Sequence, residues 1–222
     1  SHGFIWFAGR ADDRAAITVY DGETWQQNRY PEFAQRIEKN AMFEARDGTV
    51  WFGAGGSKLY GGDHPCGGAL QFQVTEDRSV QLLKHHAPPH LPYYVTALEQ
   101  TPDGTVWVGS TLIHSYDGTT PAIPDLTLLG ENTVDLVMDS SQTLWAAKEH
   151  VGVCQWMGDA WKVHTTEDGV ASLKVTGLLP LPDGSLLASS AKGISRFDGD
   201  TWVPLAYPEW FSISERQKSG MQ

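Results

Sequence analysis

The sequence predicts an all-β fold made of five copies of one small antiparallel unit. Three features carry this reading. A short phrase recurs along the chain. The recurrences lie a few tens of residues apart. Short apolar runs flank them, most ending at tight turns rich in Asp-Gly.

The phrase is "DGTVWFGAG" at 47–55 and "DGTVWVGS" at 103–110, with weaker copies "SQTLWAA" at 141–147, "DGSLLAS" at 183–189 and "GFIWFAGR" at 3–10. Its anchors are Trp6, Trp51, Trp107, Trp145 and Leu187, spaced by 45, 56, 38 and 42 residues. Self-similarity at such a period marks a repeat architecture. The alternating runs "NAMFEAR", "YVTALEQ", "TVDLVMD" and "VTGLLPL" each precede an anchor turn. After the anchors come "ITVYDGETW" at 17–25, "LIHSYDGTT" at 112–120, "GVCQWMGDAW" at 152–161 and "GISRFDGDTW" at 193–202. The second unit has instead "ALQFQVTEDRSV" at 69–80, with no glycine at its turn. These runs read as strands. Asp-Gly is the strongest short hairpin signal, because both positions tolerate positive φ. "PEFAQRIEKN" at 31–40 is helix-friendly and is expected to form one or two helical turns after Pro31.

Four strands per unit at this spacing is the arithmetic of a propeller blade. The expected fold is therefore a five-bladed β-propeller occupying residues 1–222 as one domain. The anchor Trp lies on the second strand of a blade and fills the gap to the next blade. Gly53 and Gly109 let neighbouring backbone come close. "WFSISERQKSG" at 210–220 matches the first strand of another unit, and the chain opens on a second-strand phrase. Residues 211–216 are therefore expected to pair with residues 4–9 and close the ring from both chain ends. A closed ring would be a monomer. A fragment of a longer propeller would oligomerise through its edges.

"DGTVWVGS…LIHSYDG" at 103–118 resembles the two-component regulator propeller repeat, found in the sensor regions of hybrid two-component signalling proteins. The likeness runs along nearly the whole chain and is clearest in the third and fifth units. It implies a sensory or ligand-recognising propeller in a periplasmic or extracellular setting. It supplies no catalytic residues and no kinase, receiver or DNA-binding output. Propellers of that family usually have more than five blades.

Composition narrows the function. The net charge is −11 with no basic stripe, which argues against nucleic acid and anionic membranes as partners. No apolar run is long enough to span a bilayer. "GAGGSKLYGG" at 53–62 fits neither a P-loop nor a dinucleotide fingerprint, and no nucleophile elbow is present, so no cofactor is expected. Two cysteines, Cys66 and Cys154, make no disulfide framework. His64 and Cys66 in "GGDHPCGG" are metal-ligand types, as are His85, His86 and His90 in "KHHAPPHLPYY". Their spacing matches no zinc module, so no metal is expected.

The long connecting segments all emerge opposite the Asp-Gly turns, and long loops on a rigid scaffold carry binding. The surplus between Trp51 and Trp107 falls in 54–68 and 84–94, which places the expected ligand site over the second and third units. Tyr60, Tyr93 and Tyr94 would stack on the ligand. His64, His85, His86 and His90 would hydrogen-bond to it, with Tyr30 and Trp210 completing the rim. Asp135 is an acid at an innermost-strand position held elsewhere by Ala41, Ala97 and Gly177. The expected function is non-catalytic recognition of a small molecule, glycan or peptide. The alternative is a glycan-active hydrolase or lyase using channel carboxylates, although one inner carboxylate is not the pair that hydrolysis needs.

Overall fold

The structure, a computed structural model, describes residues 3–11, 14–30, 36–56, 66–118, 121–122 and 131–205. Within these, the apolar runs form strands that pair with their sequence neighbours. Strands β1 (Ile5–Ala11), β2 (Arg14–Tyr20) and β3 (Trp25–Arg29) form a three-stranded sheet. The second meander comprises β4 (Arg36–Glu44), β5 (Val50–Gly55), β6 (Gly68–Val74) and β7 (Val80–His86). The third comprises β8 (Ala97–Gln100), β9 (Val106–Gly109), β10 (Ile113–Tyr116) and β11 (Pro121–Ala122). One parallel pairing, Asn40 with Ala97, joins these two meanders into an eight-stranded sheet. Strands β12 (Thr133–Met138), β13 (Leu144–Lys148), β14 (Gly152–Trp156) and β15 (Trp161–His164) form a fourth sheet. Strands β16 (Val175–Pro180), β17 (Leu186–Ser190), β18 (Gly193–Phe197) and β19 (Trp202–Pro204) form the last.

The expected helix over 31–40 is not found where the chain is described, because residues 36–40 lie in β4. Their backbone groups pair with β5 and β8, which overrides helix-friendly composition. The helical element among the described residues is a 3-10 turn, Thr166–Asp168, capped by Thr165.

The repeated phrase is one hydrogen-bonded device. Asp47 Oδ1 accepts from the Thr49 amide (2.9 Å) and hydroxyl (2.6 Å), and Gly48 takes φ +81°. The Trp51 indole then donates to Thr49 Oγ1 at 3.1 Å. In the third unit the Trp107 indole donates to Thr101 Oγ1 at 3.2 Å, and Thr101 donates to Asp103 at 2.7 Å. In the fourth the Trp145 indole donates to Asp139 Oδ2 at 2.8 Å. Turn and tryptophan are thus coupled, and the indole N–H is satisfied as its ring is buried.

Buried side chains gather between consecutive sheets. Ile17, Phe52 and Phe72 pack between the first and second units, with Trp6 against them. Trp51, Leu98 and Val108 fill the next gap, Trp107, Leu136 and Cys154 the third, and Trp145, Val175 and Leu186 the fourth. Trp51 and Trp107 are each 5% exposed and Trp145 1%. Gly53 and Gly109 sit where the following segment crosses. A Cβ on Gly53 would lie 2.6 Å from the Val95 carbonyl, and one on Gly109 2.7 Å from Thr133 Cγ2.

The two end sheets differ from the interior. Ile5, Phe7 and Trp25 are exposed on the outer face of the first, and Leu179 and Val203 on that of the last. Among the described residues no strand pairing joins β1 to β16–β19. The expected closing strand, 211–216, lies outside the described residues.

Candidate functional site

On the face opposite the Asp-Gly turns, a groove of about 420 Å³ lies over the third unit. Its walls are Tyr93 and Tyr94, which lead into β8, and its floor is Thr96, Ser110, Thr111 and Asn132. A smaller cavity of about 160 Å³ continues past Thr96 and Asn132 to Glu38, Asn40, Thr133 and Val134. A third hollow, about 510 Å³, lies among exposed hairpin turns at Asp21, Glu23, Asp77 and Arg78. It is larger, but it has no aromatic wall and is lined by turns whose carboxylates already hold their own backbone amides. The Tyr93–Tyr94 groove combines apolar walls with convergent polar groups, the usual character of a small-ligand site.

The chain positions these tyrosines by pinning the loop before them. Gly56 N donates to the Tyr93 carbonyl at 2.9 Å, Gly68 N to the Pro92 carbonyl at 3.1 Å, and Val95 N to the Ala54 carbonyl at 3.2 Å. Gly67, at φ +112°, could carry no side chain, since a Cβ would meet the Tyr93 carbonyl at 2.2 Å. Leu91 is driven into the core between the second and third units. The groove floor is also tied. Thr96 Oγ1 donates to the Thr133 carbonyl at 2.6 Å, Thr133 N to the Ser110 carbonyl at 2.7 Å, and Glu149 N to the Asn132 carbonyl at 2.9 Å. No hydrogen bond from the described residues engages the Tyr93 phenol, the Thr111 hydroxyl or the Asn132 amide.

The other sequence-nominated residues are dispersed. His85 and His86 belong to β7, not to a loop. His86 is 3% exposed, stacks on Trp51 at 4.2 Å, and contacts Tyr116 Oη and Gln71 Oε1 at 3.0 Å each. Burial, with Lys84 and His85 nearby, pushes its pKa down to about 3, so it is a neutral core residue rather than a surface ligand group. His85 Nε2 contacts the Gly67 carbonyl at 2.7 Å, and burial lowers its pKa. His90 is exposed and away from the groove lining. Tyr30 packs edge-on against Phe72 in the first core instead of forming a rim. Tyr60, His64 and Trp210 lie outside the described residues.

Asp135 is a clasp. Its Oδ2 accepts from the Leu178 amide of the next sheet at 2.9 Å, and Oδ1 from Leu136 N at 3.0 Å. Sequence reasoning missed its neighbour Glu99, whose Oε2 accepts from Met138 N (3.3 Å) and Oε1 from Gln100 N (2.8 Å). Burial raises the Glu99 pKa, and Asp135 adds to the rise. The signal available was an acid in an inner strand at a position held by Phe43, Val137 and Leu179 in the other units. Sequence reasoning also missed Thr96, Ser110, Thr111 and Asn132. They come from three separate segments, and only Ser110, the last residue of the phrase at 103–110, belongs to a motif.

No protein-family model and no curated protein matches the sequence. Solved structures do. PorZ, a surface component of the type-IX secretion system of Porphyromonas gingivalis, matches with TM-score 0.64 and 22% identity over 99% of this chain and 32% of PorZ. The extracellular domain of a protein described as a hybrid two-component system of B. thetaiotaomicron matches with TM-score 0.66 and 14% identity, over 85% of this chain and 26% of that one. A streptogramin B lyase matches with TM-score 0.64 and 13% identity, over 94% of this chain and 67% of the lyase. The chain thus spans about a third or less of the first two proteins. At these identities the likeness establishes the fold: an all-β, propeller-like array of antiparallel meanders, several of them four-stranded, shared with extracellular and surface-component domains and with an enzyme.

Proposed function

We propose that this chain is a non-catalytic recognition propeller that takes a small molecule, glycan or peptide in the groove walled by Tyr93 and Tyr94. The observation that carries the reading is the meeting of two pinned tyrosines with polar groups of Tyr93, Thr111 and Asn132 that no described residue engages. Rigid walls reduce the ordering cost of binding. The similarity to a surface component and to the extracellular domain of a hybrid two-component system supports this reading and an extracellular setting.

The reading includes a ring of five blades, closed by residues 211–216 against β1. It is supported by the inner edge of β1, which has no strand partner among the described residues, and by the apolar faces left exposed on both end sheets. Light scattering at rising concentration tests it. A monomeric mass supports closure, and an obligate oligomer overturns it.

Catalysis is the second reading, favoured by the lyase similarity and by the Glu99–Asp135 pair. Both carboxylates already hold backbone amides of the adjoining sheet, which is a structural employment. A glycan and peptide panel followed by NMR separates the readings. Binding that maps to the groove and weakens in Tyr94→Ala is expected. Binding on the Asp-Gly face, or turnover lost in Asp135→Asn, would overturn the proposal.

A further inference from the structure

Lys148 ends β13 with its side chain fully buried. Its cross-strand partner is Thr133 at the start of β12. Both side chains point toward the third unit. Lys148 Nζ donates to the Thr111 carbonyl at 3.1 Å, and the Thr133 methyl packs where Gly109 leaves room. Thr111 lines the groove and Thr133 lines the cavity that continues it. The ammonium therefore lies one carbonyl beneath the floor of the site.

Its charge is poorly matched. Among the described residues no carboxylate forms an ion pair with it. The ionisable groups that act on it are Cys154, whose thiol burial pushes up to about 12 and keeps neutral, and Glu131. A buried ammonium with one carbonyl acceptor among the described residues is costly, and buried charges are normally paired. A second polar group nearby is also unmet: Thr133 Oγ1 is fully buried with no hydrogen-bond partner among the described residues.

We propose that the groove is built for a small polar ligand carrying a carboxylate, with Lys148 supplying the compensating charge from beneath the floor. This rests on the groove being the ligand site. The ammonium fixes the sign, since it is a cation just below the floor. A ligand carboxylate can accept from the Thr111 hydroxyl and Asn132 amide that line the groove, and it is attracted by the charge beneath them. Glu38, on the far wall of the adjoining cavity, is acidic and turns the ligand's own acid toward the Lys148 end.

Glucuronate and glucose, which differ in a carboxylate against a hydroxymethyl group, provide the test by NMR titration. In the wild-type chain glucuronate should bind about tenfold more tightly, as attraction to a cation beneath the floor implies. Lys148→Gln keeps a donor toward Thr111 without the charge and should bring glucuronate down to the affinity of glucose. Tyr94→Ala should weaken both sugars. A measurement on the wild-type chain guards against misfolding of the variant: the lysine side-chain signal of Lys148 should shift with glucuronate and not with glucose. Equal binding of both sugars in the groove, or a glucuronate preference that survives Lys148→Gln, overturns the charge assignment and leaves the groove standing. Binding of neither sugar, or binding indifferent to Tyr94→Ala, overturns both.

Discussion

Phe7 and Phe52 each follow an anchor tryptophan by one residue, yet Phe7 is 52% exposed and Phe52 is fully buried. The two occupy the same step of the same repeat. What differs is the neighbour. Phe52 lies under Ile17 and Trp6 of the preceding sheet, whereas no sheet covers Phe7 among the described residues. The same contrast recurs at the other end, where Leu179 is exposed while Val137, its equivalent one sheet earlier, packs against the core shared with the fifth unit. Stability in this molecule is made between sheets. A side chain contributes according to whether another sheet lies against it.

The largest effects should follow that line. Phe52→Ala and Trp107→Ala should each cost about 3–5 kcal/mol in urea unfolding, from lost contact plus the cavity left behind. Phe7→Ala should stay within about 0.5 kcal/mol in an open array, whereas the proposed ring closure covers this face and brings the cost toward that of Phe52→Ala. A negligible Phe7→Ala cost in the monomer would keep the comparison and count against closure.

Close approach should give the next effect. Gly53→Ala puts a Cβ 2.4 Å from Ala41 Cβ and 2.6 Å from the Val95 carbonyl, so the crossing segment must shift. A loss of about 1–3 kcal/mol is expected. Ala8 holds the equivalent step in the first unit and is exposed, so Ala8→Ser should melt with the wild type. Equal losses at positions 8 and 53 would contradict the register.

Glu99 offers a pH test between interior sheets. Its folded pKa is raised above the ordinary 4.5, chiefly by burial. The native state therefore holds the proton more tightly than the unfolded chain, and stability falls as pH rises from about 4.5 through the raised value. Glu99→Gln should remove that decline, so the difference between variant and wild-type melting temperatures should grow across this window. Parallel melting curves would show that Glu99 is not desolvated in solution.

The smallest effect separates two turns that lack glycine. Gln142 sits at φ +62° and Arg78 at +65°. Gln142→Gly should raise stability by at most about 1 kcal/mol, since relief of left-handed strain is offset by unfolded-state entropy. Arg78→Gly should gain nothing. The Arg78 guanidinium lies over the Phe4 ring at 5.0 Å and donates to the Asp21 carbonyl, contacts that glycine would lose. A thermal gain in Arg78→Gly equal to that in Gln142→Gly would remove the distinction.

The sequence by itself determined the strands, the turns and the anchor tryptophans, because these rest on local chemistry. An Asp-Gly turn needs only positive φ and a carboxylate in reach of the next amides, and Asp47, Asp103 and Asp183 provide both with Gly48, Gly104 and Gly184. The spacing of Trp51, Trp107 and Trp145 then follows from one turn device repeated per sheet. Only the tertiary structure decided which side chains line the groove. His86 looked like a loop histidine, but β7 takes up the first three residues of the segment 84–94, and strand alternation turns that ring onto Trp51. Thr96, Thr111 and Asn132 carry no motif, and Ser110 only ends the phrase at 103–110. They become a floor because three crossing segments are drawn together where Gly109 lets Thr133 approach. Lys148 reads in sequence as one more strand-end lysine. Its burial arises from the sheet packed against it, a long-range contact that no local pattern encodes.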